Sequence, residues 1–172
     1  EGLDDLSNLQ HLSLYNNQIK EIENLESLYN LKIINLSENQ IDKLMGLNSL
    51  NKLSSINLSK NNISIIKNLG NLKNLKQLNL SSNNIQRISG LEHLTDLRKL
   101  NLNYNQIEHL DGLQNLVNLE ELYLENNKIA ELKGLAHMSN LKVLKISFDP
   151  SYKIPKEIFD HYNTGYDTIN AQ

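Results

Sequence analysis

Asparagine returns at one fixed interval along most of this chain. Asn17, Asn39, Asn61, Asn83, Asn105 and Asn127 stand 22 residues apart, and Asp149 takes the next place in the series. Each follows an apolar-x-apolar pair by three positions, as in the stretch Leu75–Ile85, Leu-Lys-Gln-Leu-Asn-Leu-Ser-Ser-Asn-Asn-Ile. A unit this short cannot bury its own apolar face, so neighbouring units must stack and share one continuous core. That requirement leaves an elongated solenoid of equal coils.

Seven segments read as strands: His11–Tyr15, Ile33–Ser37, Ser55–Ser59, Gln77–Ser81, Lys99–Asn103, Glu121–Glu125 and Val143–Ser147. Apolar and polar residues alternate in each, so one face is buried and the other open. At about 4.8 Å between strands, the parallel sheet should be roughly 30 Å wide, a broad and shallow surface. After each strand a second apolar set is buried, for instance Ile85, Ile88, Leu91 and Leu94. Between these layers one position is only Asn or Gly (Asn24, Gly46, Asn68, Gly90, Gly112, Gly134), which predicts a left-handed turn. The short segment that follows predicts 3₁₀ or irregular helix on the convex side.

Where each strand stops, backbone N–H and C=O groups point inward without ladder partners. A primary amide offers two donors and an acceptor to meet them. The asparagine series therefore reads as a buried ladder between coils. Asparagines in surface turns, the competing reading, would not need one residue type at this spacing.

The two ends depart from the pattern. Gly2, Leu3 and Leu6 match Asn24, Leu25 and Leu28 one period later, so the sequence opens in the second half of a repeat, and a fragment of a larger protein is expected. At Asp149 the repeat fails, with Pro150 removing a donor and Ser151 standing where isoleucine is due. Pro155 to Tyr162 then reads as a helix with proline in its first turn and Ile158, Phe159 and Tyr162 on its apolar side. The expected division is residues 1–149 for the repeats, a partial first one plus about seven strands, and 150–172 for a C-terminal cap. A linker into another domain is the alternative to the cap.

The form Leu-x-x-Leu-x-Leu-x-x-Asn-x-Ile-x-x-Leu-x-x-Leu, as it stands over Leu119–Leu135, resembles the SDS22-like class of leucine-rich repeats. This resemblance runs from residue 2 to about residue 149. It implies an α/β solenoid shaped as a horseshoe, with a parallel β-sheet on the concave face, 3₁₀ or irregular segments on the convex face and a C-terminal capping helix. The class includes a regulatory subunit of protein phosphatase 1, a dynein light chain, bacterial internalins and repeat regions of multidomain bacterial proteins. All are binding modules, and none is an enzyme through its repeats. The tyrosine- and arginine-containing cap of the phosphatase regulator is not found here. The run from Ile154 to Tyr162 is similar, over three or four residues, to the helix closing bacterial Roco-type GTPase repeat regions.

Charge and composition narrow the partner. The formal net charge is only −3, so no overall field draws the chain to nucleic acid or an anionic membrane, and no apolar run reaches the roughly 20 residues of a membrane span. Without cysteine there is no disulfide and no thiolate metal site, which fits a reducing compartment or a bacterial origin. His11, His93, His109, His137 and His161 are dispersed, no P-loop or helical His-x-x-x-His pair occurs, and neither catalysis nor a metal or other cofactor is expected. Asn35-Leu-Ser, Asn57-Leu-Ser and Asn79-Leu-Ser are glycosylation triplets on the open face, which argues against a secreted eukaryotic protein. The expected setting is cytoplasmic, with a bacterial cell surface as the alternative.

Each strand projects three side chains from its open face. The middle triplets are small and polar, such as Ser55/Asn57/Ser59, whereas the last three strands carry charge and bulk. The candidate partner-binding residues are Tyr15, Lys99, Tyr104, Glu121, Tyr123, Glu125, Lys145 and Phe148, because aromatic anchors beside charges are enriched at interface hot spots. A solvated face with scattered tyrosines is the competing reading. Asn35, Asn57, Asn79 and Asn101 could bond a partner's backbone, but bonding to one another and to water is favoured. The expected function is protein–protein interaction by a chain monomeric in isolation. The rivals are an enzyme-docking regulatory subunit, a surface adhesin of internalin type and a Roco-type repeat region.

Overall fold

The computed structural model describes residues 2–129, 131–135 and 137–147. Seven parallel strands, β1 (His11–Ser13), β2 (Ile33–Asn35), β3 (Ser55–Asn57), β4 (Gln77–Asn79), β5 (Lys99–Asn101), β6 (Glu121–Leu124) and β7 (Val143–Ile146), form one sheet in chain order. Every pairing is offset by one repeat, so that Leu78 lies opposite Ile56 and Leu100, and each central residue meets its own counterpart. The central side chains of β2 to β7 point inward and are buried, as period-two alternation requires.

The strands are shorter than the five residues expected, and in β2 to β5 an amide explains why. Asn35 Oδ1 accepts the Ser37 N–H at 3.0 Å, and the same bond joins Asn57 to Ser59, Asn79 to Ser81 and Asn101 to Asn103. A side chain that captures the N–H two residues on bends the strand away from the ladder. At the corresponding place β6 carries Tyr123, which cannot do this, and β6 runs one residue further, to Leu124.

Inward-facing leucine and isoleucine make one continuous core from Ile22 to Ile146. Only the first coil is thinly covered: Leu3, Leu9, Leu12, Leu14 and Ile19 are partly buried, and Leu6 is 45% exposed. Asn24, Gly46, Asn68, Gly90, Gly112 and Gly134 all take positive φ, between 57° and 109°, as their restriction to Asn and Gly predicts. At Gly46 a Cβ would also lie 2.0 Å from the Ile22 carbonyl oxygen of the coil before. Asn68 meets the equivalent carbonyl, that of Leu44, by donating to it from Nδ2 at 3.0 Å.

Two findings differ from expectation. The convex segments are successive single turns, each closed by one i→i−3 bond such as Leu28 N–H to Leu25 O and Leu31 N–H to Leu28 O, with no 3₁₀ or α-helix among the described residues. Three-residue steps between buried leucines favour this, because every turn returns one leucine to the core. The residue before each ladder asparagine also has positive φ, from Asn16 through Glu38, Lys60, Ser82 and Tyr104 to Asn126. The expected capping helix falls outside the described residues.

Candidate functional site

The asparagines that close the strands bind coil to coil. Asn61 Nδ2 donates to Leu36 O of the preceding coil at 3.0 Å and to Leu58 O of its own at 3.1 Å, while Oδ1 accepts the Ile41 N–H at 2.9 Å. Asn39, Asn83 and Asn105 repeat this arrangement and are buried; Asn127 repeats it half-buried. Asn17 is exposed and bonds only the carbonyls of Leu14 and Tyr15 in its own coil. A second amide row lies on the convex side, where Asn30, Asn74, Asn118 and Asn140 each donate to a carbonyl 23 residues earlier. Its signal, asparagine at the same phase of several repeats, is present in the sequence.

On the open face, β5 to β7 bring four of the expected residues together. Lys99 Nζ lies 2.6 Å from a Glu121 carboxylate oxygen, the same oxygen that accepts the Tyr123 hydroxyl at 2.7 Å. Lys99 Nζ stands 5.1 Å and Lys145 Nζ 5.8 Å from the Tyr123 ring centre, both within cation–π range. The Lys99 ammonium, and next the Tyr123 hydroxyl, hold the Glu121 carboxyl below its ordinary range. Hydrogen bonding to Glu121 raises Lys99 in turn, and desolvation, helped by the bond to Glu121, raises Tyr123. Tyr123 is thus a fixed aromatic plate between two cations at neutral pH.

The remaining expected residues are placed separately. Glu125 sits in the next row and is tied to Asn103, whose Nδ2 donates to its carboxylate at 3.1 Å and whose Oδ1 accepts its N–H at 2.7 Å. Tyr104 stands 59% exposed on the positive-φ turn after β5. Tyr15 is 50% exposed, but it follows β1 at the far end of the sheet, beside the Lys60–Glu38 ion pair. Phe148 lies outside the described residues. The structure adds an ion-pair row just before the strands, where Glu120 bridges Arg98 and Lys142.

Asn35, Asn57, Asn79 and Asn101 do not bond one another, which corrects that half of the expectation. Their Oδ1 atoms are taken by the local N–H bonds already described, and in β2 and β3 also by the Ser37 and Ser59 hydroxyls. Around Asn57, Asn79 and Asn101, with Ser55, Gln77 and Lys99 at the sides, lies a shallow depression of about 230 Å³. Among the described residues no group of three His, Asp or Glu could hold a metal ion, and no helix is long and apolar enough to cross a membrane.

A stack of parallel coils with amide-filled gaps and an open sheet face defines a repeat scaffold of the kind that offers a surface rather than a catalytic cleft. The family model of leucine-rich repeats, described as two copies, matches residues 7–52 and 73–115, and that of a single leucine-rich repeat matches 118–141. The chain belongs to the leucine-rich repeat family.

Among solved structures, a leucine-rich repeat protein of Leptospira interrogans is 32% identical with a TM-score of 0.78, over 91% of this chain and 41% of its own. An internalin (inlF) of Listeria monocytogenes is 30% identical with a TM-score of 0.77, over 89% of this chain and 45% of its own. Internalin C2 of the same organism is 30% identical with a TM-score of 0.66, over 84% of this chain and 75% of its own. The chain spans less than half the length of the first two. No curated protein matches. The family is generally a non-catalytic interaction scaffold, and none of these three structures is described as an enzyme.

Proposed function

We propose that this chain is a non-catalytic module that grips a partner protein on its concave face, at the cluster of Lys99, Glu121, Tyr123 and Lys145. The observation that carries the reading is the Tyr123 ring, held half-buried between two lysine ammonium groups and bonded through its hydroxyl to Glu121. An aromatic side chain immobilised before binding costs little entropy when a partner covers it, and tyrosines of this kind dominate interface energetics. The rigid sheet adds to the same economy. Binding of a partner protein is tested by capture on immobilised protein, comparing the native chain with a Tyr123→Ala/Glu125→Ala variant. The native chain should retain a partner that the variant loses; equal retention removes the cluster from the interface.

A second reading concerns the setting. Likeness to two internalins and to a Leptospira protein favours a bacterial interaction protein, with the bacterial surface as its place ahead of the cytoplasm, and favours it over the phosphatase-regulator type of the SDS22-like class. Cell fractionation with an antibody to this chain tests it. Recovery only in the soluble interior of the cell would reverse the order.

A further inference from the structure

The middle of the concave face carries a row of amides whose N–H₂ groups are unpaired among the described residues. Because the backbone N–H of Ser37, Ser59, Ser81 and Asn103 each donates into the neighbouring Asn side chain, the atom facing it is fixed as Oδ1. The Nδ2 groups of Asn35, Asn57, Asn79 and Asn101 make no hydrogen bond among the described residues, and all four side chains are half-buried. Strand register sets the four opposite one another in a row across the sheet. The row meets Tyr123 at its C-terminal end, opposite Asn101. It is a line of unpaired amide donors, each beside an oxygen that already accepts at least one local bond.

A ligand suited to such a line presents acceptors and few donors, at a repeat commensurate with the strand spacing. Neighbouring donors are about 4.8 Å apart, and alternate ones about 9.6 Å. An extended β-peptide laid across the strands repeats a carbonyl on one side every 6.6 to 6.8 Å or so, and falls out of step within two strands. A polyproline II helix has three residues per turn at about 3.1 Å each, so a carbonyl returns to one side every 9.3 Å or so, close to the alternate spacing. Proline also lacks the N–H that would face the donor row.

We propose that the row Asn35, Asn57, Asn79 and Asn101 docks a proline-rich segment in polyproline II conformation, lying across the strands with every third carbonyl on an Asn Nδ2 and its end against Tyr123. Aromatic surfaces are the usual seats of proline rings in such recognition. The inference rests on the protein-binding reading above and names the chemistry of the partner's segment.

The test uses fluorescence anisotropy with a labelled peptide of ten prolines, against a glycine-serine peptide of equal length, a β-forming Val-Thr peptide and a cello-oligosaccharide. A proline helix can shift by one strand, so one asparagine of each register is changed, as Asn57→Asp/Asn79→Asp. Aspartate keeps the oxygen that accepts the local N–H and removes the outward donor, and a melting curve checks the fold. The native chain should bind the proline peptide tightest, and the variant about three- to tenfold more weakly, the loss expected for the one net hydrogen bond that either register gives up. Equal binding by native chain and variant, or preference for any of the other three probes, overturns the proposal. Because the readout is a synthetic peptide and leaves Tyr123 and Glu125 intact, its failure is distinct from failure of the partner capture described above.

Discussion

Asn83 Nδ2 donates to the carbonyl oxygen of Leu58, a residue 25 positions earlier in the chain, at 3.0 Å. The same amide also bonds Leu80 O at 3.0 Å and accepts the Ile63 N–H at 2.9 Å, so one side chain joins two strand ends and the turn of the earlier coil. Asn83→Leu leaves the Ile63 N–H unpaired inside the core, at about 1 to 3 kcal/mol, and takes one of two donors from Leu58 O and from Leu80 O, which keep Asn61 and Asn105. Allowing for local relaxation, we expect a loss of about 2 to 4 kcal/mol by urea denaturation. Asn17→Leu, at an exposed amide bonding only its own coil, should cost less than about 1 kcal/mol. Equal losses would show that the bonds between coils do not carry the ladder.

Gly112 combines φ of 99° with a close approach: an added Cβ would lie 2.0 Å from the Ile88 carbonyl oxygen. Gly112→Ala must therefore push two coils apart or flatten the turn, and we expect more than about 2 kcal/mol of destabilisation. At Gly134, where the same approach is 3.2 Å, alanine should cost measurably less. Thermal unfolding of the two variants side by side checks the order.

Legibility from sequence followed how tightly each position constrains residue type. The ladder asparagines and the Asn-or-Gly turn were readable because few residues meet their demands, and Asn61 and Gly90 stand where the period puts them. The positive-φ turn at Glu38, Lys60, Ser82 and Tyr104 was not, because four unlike residue types stand there while the adjacent ladder bonds hold the backbone. Strand length escaped because Leu36 and Ser37 read equally well as two more residues of alternating strand. At the site, Lys99, Glu121, Tyr123 and Lys145 meet because a 22-residue register sets them side by side. Tyr15 was grouped with them on chemistry alone, and the sheet holds it at the opposite end. The Arg98–Glu120–Lys142 row was written as opposite charges one period apart, a signal that needs the register before it means contact.

Titration of Glu121 reports the cluster directly. Its carboxyl is held down first by Lys99 and then by the Tyr123 hydroxyl, so its folded value lies below the unfolded one. The stabilisation it carries is fully present above the unfolded carboxylate pKa and is lost as pH falls through the lower folded value. Lys99 is raised, so its share is fully present below the unfolded lysine pKa and is lost as pH rises through the higher folded value. Tyr123→Phe should move the Glu121 midpoint up toward the ordinary range, and Lys99→Met should move it further, because the lysine is the larger cause. Carbonyl NMR across an acid titration reads both shifts; an unmoved midpoint in Lys99→Met would mean that the pair does not form in solution.

Partner affinity should separate the tyrosines by their surroundings. Tyr123 is braced by Lys99, Lys145 and Glu121, whereas Tyr104 and Tyr15 are more than half and half exposed, respectively, on turns. A braced ring loses little freedom on being covered, while an exposed one must be ordered first, at about 0.5 to 1.5 kcal/mol for a rotamer-rich side chain. Truncation to alanine should thus cost the most at Tyr123, about tenfold or more in Kd, corresponding to at least about 1.4 kcal/mol. Tyr104→Ala, on the turn that follows β5, should cost a few-fold, and Tyr15→Ala, beyond β1 at the other edge, should leave affinity unchanged. Calorimetric titration of the purified partner against the three variants measures the series. Because Tyr15 stands beside the Lys60–Glu38 pair, a result in which it weakens binding as much as Tyr123 would place the contact along the whole sheet instead of its C-terminal strands.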